Sequence, residues 1–262
     1  MHEKKSCDVQ IWRASTGHIG HARWRELTSY LDLAERSQAF KFRQEVDRKA
    51  YVLAHGLRRL ALSAMLDVAP SKLAFRSDKN GKPQLVEPAH QRLYFSHSHT
   101  RHGALFVAST DVAVGIDAES VGTEPLDVEL LRPFLVCPEL IAGKKNGAEA
   151  SFYRYWTALE AFSKAVGTGL SSSHPRLLFV PDARGDWNVQ FDAPHSLEMA
   201  ALANQAVVMR VNAPVGCVAS LAIIRPPACP AEISLPMLSG EKVPLVIHEK
   251  ELTADFAVMR RK

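Results

Sequence analysis

In VGIDAES, residues 114–120, two carboxylates stand two positions apart. The apolar, β-branched residues around them predict a strand. In a strand Asp117 and Glu119 project from the same face, about 6–7 Å apart along the chain. Carboxylates so placed repel each other unless a cation or a proton lies between them. Mg2+ is a natural counterion, because it takes a few carboxylates together with the oxygens of a substrate phosphate. A strand end open to water tolerates the same pair, so a metal site and a solvated strand end both fit D-x-E alone.

A third acid stands in FYRYWTALEAFSKAVGTGL, residues 152–170, flanked by Leu159, Ala161 and Phe162. The spacing predicts an amphipathic helix on which Trp156, Glu160 and Lys164 share one face at i, i+4 and i+8. One reading is an exposed Glu160–Lys164 pair contributing a few tenths of a kcal/mol. The other makes Glu160 a third metal ligand and Lys164 a grip for an anion. The glycines of GTGL allow positive φ, which suits a helix end or the close approach of a ligand.

FSHSHTRH, residues 95–102, carries His97, His99 and His102. Their spacing is loose for zinc, and no second Cys/His cluster accompanies them. His97, between Ser96 and Ser98, also suits a phosphate, as a donor or as an imidazolium. Upstream, residues 36–59 hold Arg36, Lys41, Arg43, Arg48, Lys49, Arg58 and Arg59 among Glu35, Glu45 and Asp47. Most of these charges are expected on solvated helix faces. Arg76 and Lys82 flank the turn SDKNGKP and together suit a polyphosphate. There is no G-x-x-x-x-G-K-[ST] and no G-x-G-x-x-G, which argues against a P-loop or dinucleotide fold.

The elements that must hold these residues are legible from periodicity. Alternation predicts strands at 8–12, 93–98, 103–109 and 111–119, and again at 176–180, 187–192, 206–211 and 217–224. Residues 24–49 read as helix in pieces. AYVLAHGLRRLALSAML, residues 50–66, places Leu53, Leu57, Leu60, Ala61 and Ala64 on one helix face, with Pro70 beyond its end. A short helix is expected near 127–135, ahead of the Glu160 helix. Each half of the chain thus runs helix first and antiparallel-looking strands second, the mark of an α+β fold. We divide it into an N-terminal half (1–110), a C-terminal half (111–225) and a proline-rich extension (226–262).

The motifs, taken in order, resemble those of the 4′-phosphopantetheinyl transferases. VGIDAES matches (V/I)-G-(I/V)-D-x-E, and FYRYWTALEAFSKAVGTGL is similar to (F/W)-x-x-K-E-(A/S)-x-x-K-x-x-G-x-G-L. ERSQAFKFRQEVDRKAYVLAHGLRRL resembles the early charged helical region of the larger, Sfp-type group, and NGKPQL and YFSHS match its G-K-P and S-H-S elements. The resemblance spans about residues 30–225. It implies two similar α+β halves, a pseudo-dimer, with coenzyme A in the cleft between them. It also implies transfer of phosphopantetheine to a serine of an apo acyl or peptidyl carrier protein, releasing adenosine 3′,5′-bisphosphate. Carried over, Asp117, Glu119 and Glu160 hold Mg2+, and Lys164 and His97 contact phosphates. Ser96 stands with His97 at the coenzyme, and Arg76 and Lys82 take its 3′-phosphate or adenine end. Glu160 or a bound water accepts the serine proton. One position departs: the lysine expected before the metal-binding glutamate is Leu159. A non-catalytic relative that binds coenzyme A or a carrier protein is the alternative this departure raises. Three retained acids favour the enzyme.

Bulk properties fit. With 32 basic and 28 acidic residues interspersed, the net charge of +4 is low for a nucleic-acid binder. The longest apolar run, CVASLAII, is too short to span a bilayer, and the N-terminus has no apolar leader core. Cys7, Cys137, Cys217 and Cys229 form no C-x-x-C pair and read as free thiols of a reducing compartment. A cytoplasmic monomer with no membrane or nucleic-acid partner is expected.

Overall fold

The computed structural model describes residues 7–89, 92–122, 148–169, 177–181, 187–191, 201–202, 205–225 and 245–252. Strand β1 (Cys7–Ser15) leads into three helices: α1 (His21–Tyr30), α2 (Leu33–Lys41) and α3 (Glu45–Leu66). A small hairpin follows, β2 (Ala74–Ser77) and β3 (Pro83–Glu87), and then β4 (Tyr94–Thr100), β5 (Gly103–Ser109) and β6 (Ala113–Ser120). The second half contributes α4 (Ala148–Val166), β7 (Leu177–Pro181), β8 (Trp187–Phe191), β9 (Ala206–Arg210) and β10 (Cys217–Ile224), and the chain returns as β11 (Leu245–Leu252). The helix expected near 127–135 lies outside the described residues.

Two main sheets form, in the orders β11-β1-β5-β4 and β6-β10-β9-β8-β7. Strand parity decides what each face meets. In β1, Val9 and Ile11 point one way and Trp12 and Ala14 the other, and all four are buried. Val9 and Ile11 join Leu105 and Val107 against Val114, Ile116, Leu221 and Ile223, so the two sheets pack face to face. Trp12, Ala14 and Phe106 pack under Leu53, Leu57 and Leu60 of α3. On the far face of the second sheet, Val208 and Ala222 pack under Tyr155, Leu159 and Phe162 of α4. The result is four layers, helix–sheet–sheet–helix, with an apolar core at each of the three interfaces.

The extension read at 226–262 carries β11, which runs parallel to β1 with Val9 opposite Ile247. Glu251 takes Arg13 at 2.7 Å, and the Lys250 ammonium lies 4.7 Å from the Trp12 ring centroid. SDKNGKP forms the expected turn, Asn80–Gly81 included, and the residues on either side of it pair as β2 and β3.

Part of the basic stretch departs from the solvated faces expected of it. Arg59 is fully buried and Arg58 nearly so. Both bond Glu35, at 2.7 and 2.5 Å. Glu35 Oε1 also accepts from His55 at 3.0 Å, and Oε2 accepts the Asp32 N–H that closes the capping box of α2. Arg59 donates further to Asp32 and to the carbonyls of Pro70 and Leu73. Buried charges are tolerated where they are paired and hydrogen-bonded, and here they tie α2, α3 and the approach to β2 together.

Gly115 explains the glycine of VGIDAES. A Cβ there would lie 2.0 Å from the Ala161 carbonyl oxygen and 2.4 Å from the Ala165 nitrogen. Helix α4 therefore rests directly on the β6 backbone, which brings Glu160 and Lys164 down to the strand that bears the two acids. Gly115→Ala must lift the helix; we expect a loss of about 1–3 kcal/mol from overpacking, seen as a lower midpoint in urea unfolding. An unchanged midpoint would contradict the close approach.

Candidate active site

Asp117 and Glu119 occupy the face of β6 that meets α4, as their parity predicts. From α4, Lys164 reaches across and places its ammonium 2.6 Å from Asp117 Oδ1. Lys164 thus pairs with a carboxylate on the strand, whereas helix spacing alone had offered Glu160. The Ser98 hydroxyl donates to the same Oδ1 at 3.0 Å. The other oxygen, Oδ2, is buried with no hydrogen-bond partner among the described residues. A carboxylate oxygen left bare in the interior is costly, and a cation would satisfy it.

The acids around it respond to one another. Burial pushes the Glu119 carboxyl up to about 7, Asp117 and Glu160 push the same way, and the Lys164 ammonium and a Trp156 hydrogen bond oppose them. Burial likewise raises Glu160, with Asp117 adding to the shift and Lys164 opposing it. Three acids and one ammonium therefore make a site short of positive charge. Among the described residues no three His, Cys, Asp or Glu side chains converge at metal-ligand distance; the ammonium of Lys164 stands on Asp117 instead. The chemistry of the donors, all carboxylate oxygen with one atom unsatisfied, fits a hard cation.

Beside these groups lies a cleft of about 300 Å³, with Lys82, Ser96, His97, Glu160 and Lys164 in its wall. Burial drives the His97 imidazole well below its ordinary range, with Arg58 and His55 next in effect, so it is neutral and offers one ring N–H as a hydrogen-bond donor. His55, edge-on to His97 at 5.7 Å, connects it to the Glu35 network. Ser96 lines the cleft, and its hydroxyl accepts the Ile116 N–H at 3.3 Å. Lys82 serves the end of α4: its ammonium donates to the Lys164 carbonyl at 2.6 Å, and the Asn80 amide donates to the Gly167 carbonyl at 2.9 Å. Cations and donors at a helix C-terminus satisfy carbonyls that have no partner within the helix. Arg76 is exposed on β2, across from Gln84, and is not in the cleft wall.

Gly167 and Gly169 have φ of +82° and +67°. A Cβ at either would meet nothing within 4 Å, so these glycines supply left-handed backbone at the helix end rather than close packing. Leu159, the departing position, is buried with Phe152, Phe162, Val208 and Ala222. Its side chain belongs to the core layer beneath α4. Leu159→Lys places an ammonium in that layer; we expect a loss of about 2 kcal/mol or more, read as a lower melting temperature. A gain in turnover with no loss of stability would overturn this placement.

Sequence reasoning left out Ser98, Asn80 and the Glu35–His55 pair. The second serine of S-H-S and the Asn–Gly turn carried faint signals for the first two. The last depended on a contact between helices that no local spacing reveals.

The family described as 4′-phosphopantetheinyl transferase superfamily matches residues 113–208, and 4′-phosphopantetheinyl transferase, N-terminal, matches residues 12–111. A putative 4′-phosphopantetheinyl transferase of Synechocystis sp. is 26% identical over 193 residues, covering 68% of this chain and 76% of its own. The 4′-phosphopantetheinyl transferase HetI of Nostoc sp. is 29% identical over 171 residues, 63% of this chain and 71% of its own. The 4′-phosphopantetheinyl transferase Sfp of Bacillus subtilis is 27% identical over 147 residues, 55% and 63% of the two chains. With one match over the part that carries Lys82, Ser96 and His97 and the other over the part that carries Asp117, Glu119, Glu160 and Lys164, the chain belongs to the 4′-phosphopantetheinyl transferase superfamily.

Proposed function

We propose that this protein moves the phosphopantetheinyl group of coenzyme A onto a serine hydroxyl of an apo acyl or peptidyl carrier protein in a Mg2+-dependent reaction. By family it is a 4′-phosphopantetheinyl transferase, an enzyme. The observation that carries the metal-dependent reading is the bare, buried Oδ2 of Asp117, whose other oxygen holds Lys164 of the cleft wall. Asp117, Glu119 and Glu160 would hold the cation. When bound, it supplies Lewis-acid polarisation of the phosphoryl oxygens and neutralises charge on the leaving group.

The chain's own residues do the rest. Lys164, on one wall, exchanges Asp117 for a phosphate oxygen when the coenzyme enters. His97, neutral, donates a hydrogen bond to the diphosphate, and Ser96 and Lys82 stand beside it in the wall. Glu160 is raised by burial and so suits the role of proton acceptor from the carrier serine. The serine oxygen bonds to the phosphorus nearest the pantetheine, the bond from that phosphorus to the bridging oxygen breaks, and adenosine 3′,5′-bisphosphate leaves. Phosphoryl transfer of this kind depends mainly on positioning and charge neutralisation. We place Arg76 outside the cleft wall, at most at the distal end of the coenzyme.

We read residues 1–110 and 111–225 as the two halves, joined at the cleft, with 226–262 as an extension that adds β11 to the first sheet. One chain supplies both walls, so we propose a monomer, acting in the cytoplasm. No described helix is long and apolar enough to cross a membrane. The test is to incubate the protein with coenzyme A, Mg2+ and an apo carrier protein and to weigh the carrier. A carrier that gains the phosphopantetheinyl group only when all components are present supports the reading. One that stays apo with every carrier class tried would overturn it.

A further inference from the structure

The two main sheets meet edge to edge at β4 and β6 without a backbone ladder. Two serines make the connection. Ser96 Oγ accepts the Ile116 N–H at 3.3 Å and Ser98 Oγ accepts the Ala118 N–H at 3.2 Å. The two side chains are both buried and sit on the same face of β4, two residues apart. They differ in what they do with the hydroxyl proton. A hydroxyl has one proton to give and two lone pairs. In Ser98 a lone pair is taken by the Ala118 N–H, and the proton goes to Asp117 Oδ1 at 3.0 Å. Its rotor is therefore set by the backbone of the strand that carries the acid.

Asp117 is held by this arrangement. Ser98 and Lys164 both bond Oδ1, at 3.0 and 2.6 Å, and neither touches Oδ2, which is buried and bare. Lys164 is on a long, part-exposed side chain that can leave. Ser98 cannot, because its Oγ is fixed from both sides. The carboxylate is thus oriented with one oxygen bonded twice and the other left without a hydrogen-bond partner, before any cation arrives.

We propose that Ser98 is a positioning residue for the metal: its hydroxyl locks the Asp117 carboxylate so that Oδ2 faces the cation. This rests on the reading of Asp117 as a metal ligand. Groups that hydrogen-bond a metal ligand commonly contribute 10- to 100-fold in metal affinity, because without them the ligand must be ordered at the moment of binding.

The test uses the full-length protein, stripped of metal by chelation and without coenzyme A. Mn2+ is titrated in, and free Mn2+ is followed by its electron paramagnetic resonance signal. For Ser98→Ala we expect the Mn2+ dissociation constant to rise about 10- to 100-fold. Ser98→Thr keeps the hydroxyl and restores affinity close to that of the parent protein. Ser98→Cys, nearly the same size with a weak donor, falls between them and carries the test if the alanine variant fails to fold. Ser96→Ala is the matched control: it strips an equivalent junction bond from Ile116 without touching Asp117, so its Mn2+ affinity stays near that of the parent. The Mg2+ concentration for half-maximal transfer by Ser98→Ala rises by the same factor, and transfer recovers at saturating Mg2+. Parental Mn2+ affinity in Ser98→Ala, or an equal loss in Ser96→Ala, would overturn the proposal while leaving the metal site standing. A parent protein that binds no Mn2+ would overturn the metal reading of Asp117, and the role of Ser98 with it.

Discussion

Asp117→Asn is expected to lower carrier modification at least about a hundredfold at fixed Mg2+, in a protein that still folds. The amide has the shape of the carboxylate, and its carbonyl oxygen can still accept from Ser98, so the β4–β6 junction survives. What it lacks is charge. An amide in place of the buried carboxylate cannot balance a divalent cation. If its nitrogen occupies the Oδ1 position, it also sets a donor against the Lys164 ammonium. Lys164 loses its partner, but it is part-exposed, so an unpaired ammonium there is readily hydrated. The checks are carrier mass against time across a Mg2+ series, and the melting temperature of the variant. Turnover equal to that of the parent protein would remove Asp117 from the site. A melting temperature far below it would mean the variant reports on folding instead.

The second large effect is on stability. Glu35→Ala leaves Arg58 and Arg59 charged, with side chains 4% and 0% exposed, and removes the carboxylate they share. Taking one member from a buried ionic group costs about 3–5 kcal/mol, because Arg58 is left buried without a carboxylate and Arg59 keeps only Asp32. For a chain of this size that corresponds to a fall in melting temperature of roughly 10 °C. The pH dependence gives an independent handle. Burial alone would raise Glu35, but the His55 hydrogen bond, the two guanidinium groups and the Asp32 N–H outweigh it and hold the carboxyl down at about 2, against 4.5 for a free side chain. An acid held low when folded binds fewer protons than when unfolded. Its contribution is therefore complete above about pH 4.5 and is lost as pH falls toward 2. In Glu35→Ala this part of the acid-unfolding curve should be missing. An alanine variant with the parental acid limb would show that Glu35 does not carry it. Because His55 links Glu35 to His97, the variant also tests whether one wall of the cleft depends on a network outside it.

Both effects turn on who partners whom, and there local sequence and tertiary structure part company. Period-2 and period-3.6 patterns are set by backbone geometry within a few residues, so the strands at 103–109, 111–119 and 217–224 and the helices carrying Leu57 and Glu160 were legible in the sequence. The shared face of Asp117 and Glu119 followed from parity, and the succession of motifs from G-K-P to G-x-G-L carried the family. Partners across the fold have no such local rule. Lys164 had Glu160 one helical turn away, yet it bonds Asp117, 47 residues earlier, because Gly115 lets α4 settle onto β6. Lys82 looked like a phosphate ligand, and its ammonium lies on a helix-end carbonyl that only the meeting of the two halves brings near. Arg58 and Arg59 looked solvated, because a buried arginine differs from an exposed one only by a carboxylate 23 or 24 residues away. Leu159 is the reverse case. As a departure from a motif it raised the alternative of a non-catalytic relative, and its place among Phe152, Phe162 and Val208 shows a core position. The sequence by itself determined which side chains share a face and which family's motifs they spell. Only the tertiary structure decided which charges are paired, which are buried and which carboxylate oxygen is left bare, because those depend on distances between segments that the chain closes only when its layers pack.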